Sequence, residues 1–147
     1  MTLKEKLLSD MKGALKSRDS LRLNTIRSVI SAIKNQEIDL RKDLQDEDIL
    51  SLITREVKKR KEAATLFEQG GRMDLMEKEK QEHAILQAYM PEQTSEADLR
   101  KRIQEVIAET KAEGMKDFGK IMKVLVPEFK GKADNGLIKN LAGEYLN

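Results

Sequence analysis

No cysteine occurs in the 147 residues, which excludes disulfides, zinc–thiolate centres and thiol catalysis. Proline appears only at Pro91 and Pro127, so little interrupts helical periodicity. Tryptophan is absent, and Phe67, Tyr89, Phe118, Phe129 and Tyr145 are the only aromatics, which leaves the core to aliphatic side chains. Neither sign of charge dominates, with 28 Lys+Arg against 26 Asp+Glu and a formal net charge of +2. Each neutralised phosphate needs its own cation, so this balance excludes a uniformly basic nucleic-acid binder and leaves only a local patch. The segment MTLKEKLLSDMKGALK mixes Glu5 and Asp10 with its apolar residues and lacks the roughly 7–15-residue apolar run of a secretory signal. No later run is long enough to span a membrane. The expectation is a soluble, cytoplasmic protein with no membrane contact.

What is present is helical periodicity. A first helix is predicted from about Thr2 to Ser17, with Leu3, Leu7, Met11, Ala14 and Leu15 inward. Asp19 or Ser20 caps a second, carrying Ile26, Val29, Ile30 and Ile33 to about Ile38. After the polar loop DLRKDLQ, Asp46 is expected to cap a long third helix to Gln69, ended by Gly70-Gly71. A fourth runs from about Met73 to Tyr89, and residues 90–94 read as a linker. Ser95 to Asp98 read as a capping box for a fifth helix with Leu99, Ile103, Val106, Ile107 and Thr110 on one stripe, ended by Gly114. Asp117 opens a sixth (Phe118, Ile121, Met122 and Leu125 inward) and Asp134 a seventh (Leu137, Ile138, Leu141 and Ala142 inward). The fold class is all-α: a four-helix domain over residues 1–92 and a compact three-helix domain over 95–147.

Polar residues interrupt the first domain's apolar stripes. Arg22 falls between Val29 and Ile33, Glu56 and Arg60 lie among Ile49, Ile53 and Ala63, and Glu79 and His83 lie among Met76, Leu86 and Met90. This pattern reads first as an ion-pair network fixing helix register, next as a cleft, and last as a metal or acid–base site. Glu79 and His83 supply two ligands only, so no metal is assigned, and His83 is expected to be packed and hydrogen-bonded. The run Lys58–Lys61, flanked by Glu56 and Glu62, reads as a solvated face. Arg18, Arg27, Lys34, Arg41 and Lys42 gather on or beside the second helix without a decidable geometry. No activated nucleophile, phosphate-binding loop or kinase signature is present, so no catalytic residue and no cofactor is assigned. The residues favour a non-catalytic interaction protein.

The carboxy-terminal corner has more to offer. Lys116, Lys120, Lys123, Lys130 and Lys132 stand against only Asp117 and Glu128. A turn, Lys130-Gly131-Lys132-Ala133-Asp134, is expected to offer free backbone N–H groups, close approach at Gly131 and the amino-terminal dipole of the seventh helix to a phosphate. Asp134 partly cancels that field. Phe118 and Phe129 read as core, so a contact to RNA backbone and shape is expected in place of base stacking.

Several segments carry a family resemblance: LRLNTIRSVISAIKNQEID (21–39), EVKKRKEAATLFEQGGRMDL (56–75), AYMPEQ (88–93) and DFGKIMKVLVPEFKGKADNGLIKNLAGEYL (117–146). With these the chain resembles the YqeY-like proteins, and its last third resembles the tail domain of the GatB subunit of the bacterial tRNA-dependent amidotransferase. The resemblance implies a helical domain followed by a three-helix tail that contacts tRNA or a similarly structured RNA. Lys130, Gly131, Lys132 and Asp134 are the implied contacts, followed by Lys120, Lys123 and Lys139. A protein partner from the translation machinery is also implied. Amidotransferase chemistry is not, because 147 residues leave no room for the large catalytic domain. The alternatives are a protein–protein adaptor without an RNA role, or an accessory carbon–nitrogen ligase activity with glutamine as amido-N donor.

Overall fold

The structure, a computed structural model, describes residues 1–147 and is entirely helical. Its helices are α1 (Leu3–Ser17), α2 (Ser20–Leu40), α3 (Asp46–Gln69), α4 (Met73–Gln87), α5 (Glu96–Thr110), α6 (Phe118–Glu128) and α7 (Asn135–Leu146), with a 3-10 turn, Met115–Asp117, before α6. None is long and apolar enough to cross a membrane. Two compact units divide the chain, Met1–Met90 and Pro91–Asn147.

In the first unit, α3 and α4 pair as a hairpin around Gly71, whose φ of 74° favours a residue without a Cβ. α1 and α2 pair beside it, and Leu7, Ile26, Val29, Ile33, Ile49, Ile53 and Leu86 close the core. Leu44, in the loop expected to be merely polar, is 5% exposed and joins that core. Leu15, expected inward, is 57% exposed.

The cap of α3 also differs from expectation. Gln45 is the N-cap and donates its N–H to Asp48 Oδ2 at 3.0 Å, while Asp46 is the first helical residue. The Asp46 carboxylate accepts the Leu3 N–H at 3.0 Å and so satisfies an orphan donor of α1.

In the second unit Leu99, Ile103, Val106, Ile121, Leu125, Ile138 and Leu141 form a separate core. Ser95 accepts the Asp98 N–H at 3.2 Å, the first half of the expected capping box. α5 stops at Thr110 and not at Gly114: Lys111 takes the left-handed conformation, and the Ala112 N–H donates back to Ile107. Pro127 lies inside the last turn of α6. Leu137, expected inward, is 37% exposed.

Candidate nucleic-acid interface

The turn between α6 and α7 is built from the inside. Phe129 is buried, and its carbonyl accepts two N–H groups, Lys132 at 2.8 Å and Ala133 at 3.1 Å. The Lys130 N–H approaches the Pro127 carbonyl at 3.5 Å. The expected corner of free backbone N–H groups is corrected in part, because the Lys130, Lys132 and Ala133 donors close the turn.

Gly131 is buried at φ 76°, a left-handed position that costs most residues strain. Its carbonyl accepts Gln93 Nε2 at 2.8 Å, and the Lys132 carbonyl accepts the Thr94 N–H at 2.9 Å. Two residues read as linker thus clamp the turn. The place of Gly131 is to reverse the chain; it does not present an open backbone.

Asp134 precedes α7 as N-cap, but its side chain makes no capping bond. Its Oδ2 lies 3.0 Å from where a Cβ on Gly136 would stand, so the carboxylate hangs over the first turn and opposes an anion there. What the corner presents outward is lysine side chains. Lys120, Lys123 and Lys130, with Pro127 between them, follow steps of three and four residues and are all exposed. Lys120 and Lys123 share one face of α6 at about 100° per residue, and Lys130 lies beyond the helix in the turn. Lys120 Nζ donates to the Thr110 carbonyl at 3.0 Å, and Lys116 holds Glu113 at 3.1 Å.

Lys132 is exposed beside Glu128, and Lys139 is exposed on the neighbouring α7. Glu128 is occupied: Arg102 grips it with Nε at 2.8 Å and Nη2 at 2.9 Å. That fork, ahead of the more distant charge of Lys132, holds the Glu128 carboxyl below the ordinary range.

The polar cluster of the first unit resolves differently from its sequence pattern. Arg60 Nη1 lies 3.4 Å from Glu79 and 3.3 Å from Glu82, with Nη2 at 3.8 Å from Glu56. Glu82, which the periodicity did not single out, is 12% exposed at its side chain and completes a three-carboxylate ring. Arg60 also lines a cleft of ≈ 260 Å³ together with Asn24, Thr25 and Ser28. Arg22 is corrected: it is exposed in the first turn of α2, where Asp19 both accepts its N–H and pairs with its guanidinium at 3.4 Å. A local capping partner draws it out of the apolar stripe. Burial, then the charge of Lys61, pushes the half-buried His83 imidazole below its ordinary pKa. No three His, Asp or Glu side chains converge to hold a metal ion.

The family model described as Yqey-like protein matches residues 4–146. Among curated proteins the chain is similar to "Altered inheritance of mitochondria protein 41, mitochondrial" of several fungi. Identity to the Lachancea thermotolerans protein is 34% over 108 residues, covering 71% of this chain and 58% of that one. To the Kluyveromyces lactis protein it is 40% over 84 residues, covering 56% and 45%. To a Saccharomyces cerevisiae protein it is 30% over 131 residues, covering 87% and 68%. The chain thus spans about half the length of the first two relatives. Their names overturn the expected cytoplasmic location, since these relatives are mitochondrial by name. Organelle-targeting segments are amphipathic and need no apolar run, so the lack of one does not speak for the cytoplasm.

Proposed function

The chain belongs to the YqeY-like protein family, and from that premise we propose that it is a non-catalytic accessory protein that grips the phosphate backbone of tRNA or a similarly structured RNA. The observation that carries this reading is the lysine surface of α6 and the turn after it: Lys120 and Lys123 exposed on one face of the helix, with Lys130 and Lys132 exposed in the turn. Of the acids nearby, Glu128 is held by Arg102 and Glu113 by Lys116, while Asp134 stands in the same turn. The ligand atoms are therefore lysine ammoniums, which track phosphates without reading bases. Stacking has little support: Phe129 is buried, Phe118 half-buried, and Tyr145 lies under Arg100 at 5.9 Å. The resemblance of residues 117–146 to the tail of an amidotransferase subunit points to the same ligand class. The first unit then serves to hold a protein partner of the translation machinery.

A second reading, an adaptor without an RNA role, draws on the tip of the α3–α4 hairpin, where Leu66 and Met73 are both exposed. Binding of purified protein to total tRNA separates the two. With Lys123→Gln/Lys130→Gln/Lys132→Gln the affinity is expected to fall about tenfold or more at low salt. Equal affinity of variant and wild type would overturn the lysine-face reading.

A further inference from the structure

α2 carries a second cationic surface that the lysine corner does not use. Arg27, Lys34 and Arg41 recur at seven-residue intervals, with Asn24, Ser31 and Ile38 spaced between them by threes and fours. Those steps keep the five residues from Asn24 to Ile38 on one side of the helix, and Arg41 follows at its left-handed C-cap. All six are exposed, while Ile26, Val29 and Ile33 on the opposite side are buried in the core. None of Arg27, Lys34, Arg41 or the adjacent Lys42 forms an ion pair.

Nothing in the composition forces this, for cations and anions are almost equal in number. Elsewhere Arg60, Arg100 and Arg102 each sit among two or three carboxylates. Of the acids of α2, Asp39 falls off the cationic side, and Glu37 flanks it between Lys34 and Arg41. Glu37 is occupied by Lys4 Nζ at 2.8 Å and the Leu44 N–H at 2.9 Å. At its carboxy-terminal end the face opens on a groove of ≈ 570 Å³ lined by Lys34, Arg41 and Lys42 together with Glu37, Ile38 and Asp43.

We infer that this face of α2 is a second contact for the phosphate backbone of a structured RNA, separate from the lysine corner and resting on the RNA reading above. Seven residues rise about 10.5 Å along a helix, so the three cations cover about 21 Å. Arginine forks match phosphate oxygens, and Asn24 and Ser31 between them supply hydrogen bonds to phosphate or ribose. The face has no aromatic side chain, so it tracks backbone and does not stack bases. An anionic membrane fits it less well. An interfacial helix needs a continuous apolar face, and here Ile38, 72% exposed, is the one large apolar residue on the cationic side.

The experiment measures binding to total tRNA across a salt series. It compares wild type, Arg27→Gln/Lys34→Gln/Arg41→Gln and the corner variant Lys123→Gln/Lys130→Gln/Lys132→Gln, with sedimentation on phosphatidylserine vesicles alongside. The α2 variant loses no ion pair, so its circular-dichroism melt is expected to match wild type. Its tRNA affinity is expected to drop about tenfold or more, and its log K against log salt slope to flatten by about two. Wild-type affinity and slope in the α2 variant would overturn this inference and, if the corner variant loses binding, leave the RNA reading standing. Absence of wild-type tRNA binding at low salt would overturn both. Vesicle binding without tRNA binding, lost in the α2 variant, would assign the face to a membrane surface and overturn the RNA contact.

Discussion

Burial is the first cause, and the Lys61 charge the second, of the lowered His83 pKa, which leaves the imidazole neutral at pH 7. Because the unfolded ring keeps its ordinary value, the unfolded chain binds more protons as pH falls through that value, and stability declines with it. Glu37 adds to the decline further into acid. Its carboxyl is held below the ordinary range by the Lys4 hydrogen bond and then by the Leu44 N–H. Its contribution is present above the unfolded pKa and lost as pH falls through the folded one. An NMR titration is expected to place the His83 midpoint below that of a free imidazole, and His83→Gln to remove the mildly acidic part of the stability loss. A midpoint at or above the free value would contradict this. At this scale the sequence was partly legible. Helical spacing brought Glu56, Arg60 and Glu79 to one place, but it also placed Arg22 there. Spacing alone does not weigh a local capping partner such as Asp19 against the core. Glu82 was missed because its neighbour Glu79 already filled the i,i+4 pattern with His83.

Helix ends were less legible than helix faces. Gly70 and Gly71 mark the end of α3 by their own backbone freedom, and the sequence reads them directly. Three other helices end with a cation in the left-handed conformation, Arg18 at φ 58°, Arg41 at φ 54° and Lys111 at φ 55°. Around each, two backbone bonds close the last turn, as when the Asp19 N–H reaches Ala14 and the Arg18 N–H reaches Leu15. Nothing in an Arg or Lys side chain announces such an end, so the sequence points to Gly114, which opens the 3-10 turn, in place of Lys111. The same geometry predicts a gain. Lys111→Gly removes a Cβ from a strained position and is expected to stabilise the protein by about 1 kcal/mol. A higher denaturation midpoint would bear this out; an unchanged or lower one would contradict it. The lysine face of α6 was legible as a charge excess but not as a surface, because the Lys130, Lys132 and Ala133 donors expected to be free close the turn.

The two units hold separate aliphatic cores, one around Ile26, Ile53 and Leu86 and one around Ile103, Ile121 and Leu141. Gly131→Ala is expected to cost about 1–2 kcal/mol at the left-handed position and to loosen the clamp formed by Gln93 and Thr94. Amide hydrogen exchange is expected to report lost protection over residues 91–147 and little change over 1–90. Equal loss across both would contradict separate cores. A net charge of +2 means that RNA affinity cannot come from the molecule as a whole and must come from its patches. The measurement that tests this most directly is the salt dependence of wild-type binding to total tRNA. With five lysines of the corner and three cations of α2 on phosphates, log K is expected to fall linearly with log salt at a slope of about −5 to −7. A slope near zero, or no binding at low salt, would contradict the account.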